Sequence, residues 1–433
     1  MNALFLIHSH YALTLKRFLL LIDPLHKRGA ASVFLDLSSN LEEVLRSHAR
    51  DLNIQSDFRT IPWNSLSTQN EIPVWPDSKN NQPDFTSEPI DSTLSRLLAK
   101  YAIDPLPWIA GNIKPFLQTF ETQAAAAFKF LEDLEPACVI YDLETPQKVR
   151  ATLWAAKQLN IPVLSIQHGE GNAEQYDQFP VLADDYIAYT PYNAVKLREL
   201  GVPEKSIHLT GFPEMDLIPS FDAESIKKAF EEKYSLKFDQ PVLLTALKPN
   251  NNPAFQTLNQ TLLEELREAH EDHPEIHFVV KTHPVDSMLP AGEEMIRRIK
   301  ETYPRFIWIE SDETLYRCLA VCDALLTFYS GSLVEALLMD VPAGVIPAED
   351  GVRWPPWDSF RVFETVDFNA IGAFIDSGWE APSARKPEAW MNFLDYFRFP
   401  RDGRACERIA DVILALSHDI DFHIHQTTGI MNQ

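Results

Sequence analysis

Short, continuously apolar runs alternate with helix-patterned segments along nearly the whole chain. No other feature constrains the fold as much. Ala3–Ile7, Ser32–Leu37, Ala137–Tyr141, Pro162–Ile166 and Tyr186–Tyr189 read as strands in the first half. Val242–Ala246, His277–Lys281, Phe306–Ile309, Ala324–Phe328 and Ala343–Ile346 read as strands in the second. Helical patterns fall between them: Leu41–Leu52, Ile113–Leu134, Gln147–Leu159, Tyr192–Leu200, Gln256–Glu271, Glu293–Tyr303, Leu315–Val321 and Leu333–Met339. Strands alternating with helices imply parallel βαβ units. Strands apolar throughout fit sheets covered on both faces. The expected class is α/β, with two Rossmann-like domains facing one another across a cleft.

Two interruptions organise this alternation. Residues 61–90 are rich in Pro, Asn, Ser and Asp and read as a long surface loop. Residues 213–240 carry a charged helix between two strand-rich halves, which reads as an interdomain connection. The expected division is 1–216 for an N-terminal domain, 217–240 for the connection, 241–400 for a C-terminal domain, and 401–433 for a late amphipathic helix (Asp402–Leu416) and a loose tail. The length of 433 residues suits such a pair of domains.

Charge and cysteine content narrow the function. With 38 Lys and Arg against 62 Asp and Glu, the net charge is −24, which argues against a protein built to grip nucleic acid. Cys138, Cys318, Cys322 and Cys406 form no zinc pattern, so a reduced, cytoplasmic protein is expected. The apolar N-terminus is broken by His8, Ser9 and His10 and again by Lys16 and Arg17. It falls short of the ~20 residues that span a membrane, and its charges follow the first apolar run, unlike a signal peptide. Only 14 glycines occur. There is no G-x-G-x-x-G, P-loop, G-x-S-x-G, H-E-x-x-H or Asp-rich metal loop. A doubly wound protein without these binds its ligand at strand carboxyl ends in the interdomain crevice.

Five segments put polar residues there. In Ser165–Asn172, His168 and Glu170 follow a strand, and Gly169 and Gly171 let the backbone turn. The pair can supply acid–base chemistry near neutral pH, or His168 can simply cap a carbonyl. In Val279–Pro284, His283 stands at a strand exit that Pro284 stops, placed to donate to a phosphate oxygen. His273 precedes the same strand and reads as structural. In Thr327–Ala336, a strand runs into Ser330, Gly331 and Ser332 before a helix, whose free amides make an anion site. Ser332-x-x-Glu335 also has the form of a capping box. Lys248 at another strand exit can neutralise a diphosphate or simply be solvated. Arg353–Trp357 can stack on a sugar or base, or lie as a lid over the core.

Together these pieces resemble the GT-B superfamily of nucleotide-sugar-dependent transferases. They are similar above all to bacterial capsule, lipopolysaccharide and teichoic-acid enzymes, including glycerophosphotransferase-like and sialyltransferase-like families. The resemblance covers roughly Pro162 to Pro347, through IPVLSIQHG, the segment ending LTGFPEMD, FVVKTHP, and CDALLTFYSGSLVEALLMDVP. It implies that the C-terminal domain binds the donor. His283, Ser330 and Ser332 would contact phosphate, and Glu335 would lie near the ribose. His168 matches the position of a catalytic base in the teichoic-acid enzymes. Glu170 lies near an acidic position of sialyltransferases, although HGEG departs from their acidic-acidic-Gly pattern, so the base stays open between the two. No metal or other cofactor is implied.

The expected function is therefore a metal-independent inverting glycosyltransferase of bacterial surface glycan or protein glycosylation. Its partners would be a nucleotide-sugar donor and a glycan, lipid-linked or protein acceptor, compatible with peripheral membrane association and without nucleic acid. His283, Lys248 and the Ser330–Ser332 turn would stabilise the leaving phosphate. The alternatives are a nucleotide-sugar 2-epimerase and a non-catalytic sugar-nucleotide binding protein. Against the epimerase, the His-x-Glu-Ala-Gly-Leu-Arg run expected of it is absent. His168-Gly-Glu170-Gly is the nearest match, and it lacks the Arg.

Overall fold

The computed structural model describes residues 1–8, 12–66, 114–144, 146–167, 182–220, 222–250, 252–283, 286, 290–309, 313–347, 360–397 and 402–416. These residues build two sheets, and every strand pairing in them is parallel.

The first sheet contains β1 (Asn2–Ile7), β2 (Ala31–Asp36), β3 (Phe58–Pro62), β4 (Cys138–Tyr141), β5 (Val163–Ile166), β6 (Asp185–Ala188) and β7 (Ile207–Leu209), in the order β3-β2-β1-β4-β5-β6-β7. The second contains β8 (Val242–Ala246), β9 (His277–Lys281), β10 (Ile307–Ile309), β11 (Ala324–Phe328), β12 (Ala343–Ile346) and β13 (Glu364–Thr365), in the order β10-β9-β8-β11-β12-β13. Both are doubly wound, and each reverses direction once: between β1 and β4, and between β8 and β11. The expected α/β architecture of two Rossmann-like halves is what the chain adopts.

Every strand expected from the apolar runs is present. The strands that escaped notice are β3, β7 and β13, at the sheet edges. β3 and β7 are part-exposed along their length and β13 has two residues, so none of the three stands out as a continuous buried run. The segment 61–90, expected to be loop, begins with Ile61 and Pro62 closing β3. The helices Ala12–Leu19 and Ile22–Lys27 were also missed, because Lys16 and Arg17 looked like interruptions. Both side chains are in fact buried.

Two outer apolar layers cover the far faces of the sheets. Leu131, Val139 and Leu153 belong to one, and Leu262, Phe278 and Phe374 to the other. A third cluster is continuous through both halves, running from Phe5, Phe18 and Leu164 through Phe212 to Leu244, Leu325 and Leu333. The late helix Ala405–Leu416 belongs to this central cluster through Ile409 and Ile413. It packs on the first half: Asp216 accepts from the Ala405 and Cys406 amides at 2.9 and 2.8 Å, and Arg408 Nε donates to the Thr210 carbonyl at 2.8 Å. The chain therefore passes between the halves twice, and both passages meet at Asp216. Gly211 makes the turn out of β7 possible. Its φ of +87° is one that side chains resist.

No helix among the described residues is long and apolar enough to cross a membrane. The four cysteines are free.

Candidate functional site

In open parallel sheets the ligand crevice opens at strand carboxyl ends, at the point where the strand order reverses. In the first sheet β1 and β4 flank that point. His8 follows β1 and Asp142 follows β4. His8 Nε2 lies 3.4 Å from Asp142 Oδ1, and the Asp142 side chain is 0% exposed. A buried carboxylate beside an imidazole at a strand exit suits proton transfer.

Beside this pair lies a buried polar cluster. Arg17 from the first helix donates through Nε to Glu214 Oε1 at 2.9 Å and through Nη1 to the Gln167 carbonyl at 3.0 Å. Its guanidinium also lies 5.1 Å from the centroid of the Tyr189 ring. Burial opposes the charge of Arg17, but Glu214, Tyr189 and Asp142 outweigh it and hold the group protonated. The second half faces this cluster with Tyr316. Burial first, then the Glu335 and Glu214 carboxylates, holds the Tyr316 phenol protonated.

In the second sheet the reversal point lies between β8 and β11. Lys248 leaves β8 half-buried, with Nζ 4.6 Å from the Phe255 ring centroid. Asn259, buried inside the helix Pro253–Asp272, clamps both sides of the Lys248 residue. It accepts from the Lys248 amide at 3.1 Å and donates to the Lys248 carbonyl at 2.8 Å. Asn250 then ties this exit to the next. Its amide and side chain donate to the two Asp286 oxygens at 2.6 and 2.8 Å, and the Asp286 amide donates to the His283 carbonyl at 3.0 Å. Any side chain at Gly292 would lie 2.1 Å from the Asp286 carbonyl oxygen, so glycine is what lets the helix Pro290–Thr302 close on this loop.

After β11 the chain enters the helix Gly331–Leu338, with Ser330 at its N-cap. The expected Ser332–Glu335 capping box does not form. Ser332 is the second residue of the helix, and Ser330 makes no side-chain cap bond. Instead Thr327, Ser330 and Ser332 share hydroxyl contacts, with Thr327 Oγ1 3.2 Å from Ser332 Oγ. Glu335 is drawn toward Tyr316. The first-turn amides of a helix lack i−4 partners, and beside three hydroxyls they can receive an anion.

Lys248, His283, Ser330, Gly331, Ser332 and Glu335 thus gather at the carboxyl ends of β8, β9 and β11, as the sequence suggested. His273 caps the opposite end of its sheet, 3.6 Å from Glu275, and is structural. His168, Glu170 and the segment Arg353–Trp357 lie outside the described residues. His8, Asp142, Arg17, Glu214 and Tyr316 were missed as site residues. Only His8 and Asp142 carried a signal, as the first polar residues past β1 and β4. Among the described residues no group of three or more His, Cys, Asp or Glu could hold a metal ion.

Burial first, and then the Lys281 charge, pushes the His283 pKa from 6.5 down to about 4, so at neutral pH this side chain donates as a neutral imidazole. The unfolded chain, at an ordinary 6.5, takes up this proton first on acidification. Stability is therefore lost as pH falls from 6.5 through 4. In His283→Gln the stability lost between pH 7 and pH 4.5, read from urea melts, should be smaller than in the wild type by about 2 kcal/mol. Equal losses in the two proteins would remove this account.

A sequence model of the family described as UDP-N-acetylglucosamine 2-epimerase matches residues 125–350, more than half of the chain. No curated protein matches it in sequence. Among solved structures, the fold is similar to UDP-GlcNAc 2-epimerase from Neisseria meningitidis bound to UDP-GlcNAc (16% identity, 96% of this chain and 99% of that one, TM-score 0.59). The Methanocaldococcus jannaschii UDP-GlcNAc 2-epimerase in complex with UDP-GlcNAc and UDP is also similar (14% identity, 96% and 99%, TM-score 0.58). So is the wall teichoic acid polymerase TagF (11% identity, 96% and 89%, TM-score 0.57). The GT-B resemblance therefore holds at the level of the fold. The expectation of a glycosyltransferase with a hydroxyl acceptor does not hold, because the family match favours the alternative. The chain belongs to the UDP-N-acetylglucosamine 2-epimerase family.

Proposed function

We propose that the protein is a nucleotide-sugar 2-epimerase acting on a UDP-linked N-acetylhexosamine. The observation that carries this reading is the family match, which runs from the helix before β4 to the end of β12 and so includes carboxyl ends from both sheets. In this reading the second half holds the nucleotide. Lys248, neutral His283, Ser330, Ser332 and the first amides of the helix from Gly331 bind the diphosphate, and Glu335 binds the ribose. The sugar then extends toward the first half.

Inversion at C2 requires a proton to leave one face of the sugar and another to arrive on the opposite face. Acid–base groups must therefore stand on both sides of that carbon. Asp142 with His8 supplies one side. His168 and Glu170 are the candidates for the other, since they follow the adjacent strand β5. No acceptor is needed, and the nucleotide sugar is the sole substrate.

The test is incubation with UDP-GlcNAc in D2O, followed by NMR. The expected result is deuterium at C2 of the sugar together with the C2 epimer. UDP binding without exchange or epimer would overturn the reading.

A further inference from the structure

We propose that Arg17 is a positioning residue for this reaction: it locks the Gln167 peptide, the point from which the chain runs on to His168, against the Glu214 turn that leads to the second half. The proposal deepens the epimerase reading and rests on it.

Two tethers converge on Gln167. Arg17 Nη1 holds its carbonyl at 3.0 Å, and the Tyr189 amide donates to its side-chain Oε1 at 3.2 Å. The guanidinium is itself held by Glu214, through Nε at 2.9 Å and Nη2 at 2.8 Å. Arg17 is 2% exposed and Glu214 is 3% exposed. The charged and titratable groups facing Arg17 include Glu214, Tyr189, Asp142 and Tyr316, from four different segments. The contacts bridge sequence separations of 150 and 197 residues, so they hold together segments that local structure cannot.

Stability alone does not call for such a device. A buried ion pair replaced by apolar groups of similar volume often folds as well. A guanidinium fork can bind a carboxylate and a carbonyl at fixed angles, which an ammonium cannot do. What the fork fixes here is the backbone one residue before a candidate catalytic His.

The experiment uses the double variant Arg17→Met with Glu214→Leu, and Arg17→Lys alone. Each is measured for melting temperature, UDP affinity, kcat and KM of C2 exchange, and amide hydrogen exchange of residues 163–167. The expected double variant melts near the wild type and binds UDP with unchanged affinity. Its kcat falls about 100-fold with KM little altered, the scale of a misplaced group, and its 163–167 amides exchange faster. A folded double variant with wild-type kcat and wild-type amide protection would overturn the proposal. If the double variant does not fold, Arg17→Lys decides: reduced kcat in a folded protein supports positioning, and wild-type kcat overturns it. If the wild type itself shows no C2 exchange, the epimerase reading fails separately, and unchanged amide protection is then what overturns the role of Arg17.

Discussion

Asp142→Asn is expected to slow C2 exchange by roughly 10²–10⁴-fold, the range for loss of a general acid or base, without loss of UDP binding. Asp142 stands at the strand exit beside the reversal point of the first sheet, with its side chain fully buried and His8 3.4 Å away. The nucleotide-binding residues proposed above all come from the other half, which is why binding and turnover should separate. Asparagine keeps the shape and removes the charge. Deuterium wash-in by NMR reads the chemistry, and calorimetry with UDP reads binding. Normal wash-in by a folded Asp142→Asn protein would take the carboxylate out of the reaction. A joint loss of binding and turnover would place Asp142 in the nucleotide site instead.

The second large effect is on stability. Arg17→Ala should destabilise the fold by about 3–5 kcal/mol, because it leaves the Glu214 carboxylate buried without its cation. Glu214 Oε2 already has no hydrogen-bond partner, so the second oxygen offers no compensation. The loss should be visible as a lower urea midpoint at unchanged slope. Adding Glu214→Leu to an Arg17→Met protein should recover most of it, since no charge then remains uncompensated. A loss below about 1 kcal/mol in Arg17→Ala would mean that the cluster behaves like a surface pair, with solvent reaching Glu214.

The strand exits of the second half were legible. Lys248, His283 and the Ser330–Ser332 turn each follow a strand that is apolar throughout, and the boundary between apolar run and polar residue marks a carboxyl end wherever strands are parallel. The reading failed where a local pattern had two outcomes. Ser332-x-x-Glu335 has the form of a capping box, but a buried tyrosine from another helix takes the glutamate. The choice of reaction failed for a related reason. Polar strand exits and free helix amides can receive a phosphate group whatever is done to the sugar, so they say nothing about transfer against epimerisation.

The alternation of apolar runs and helical patterns was enough to specify two parallel sheets with helices between them. It works because fully covered strands must be apolar throughout, and because parallel strands need a crossover. The polar strand exits are equally local and equally readable. Tertiary structure alone decided which exits meet. His8 and Asp142 are 3.4 Å apart only because β1 and β4 are neighbours at the reversal point of the sheet. Arg17 looked like a break in an apolar segment until Glu214, 197 residues away, arrived to bury it. A charge is affordable in the core only once its partner is in place, and no window of sequence around Arg17 contains that partner.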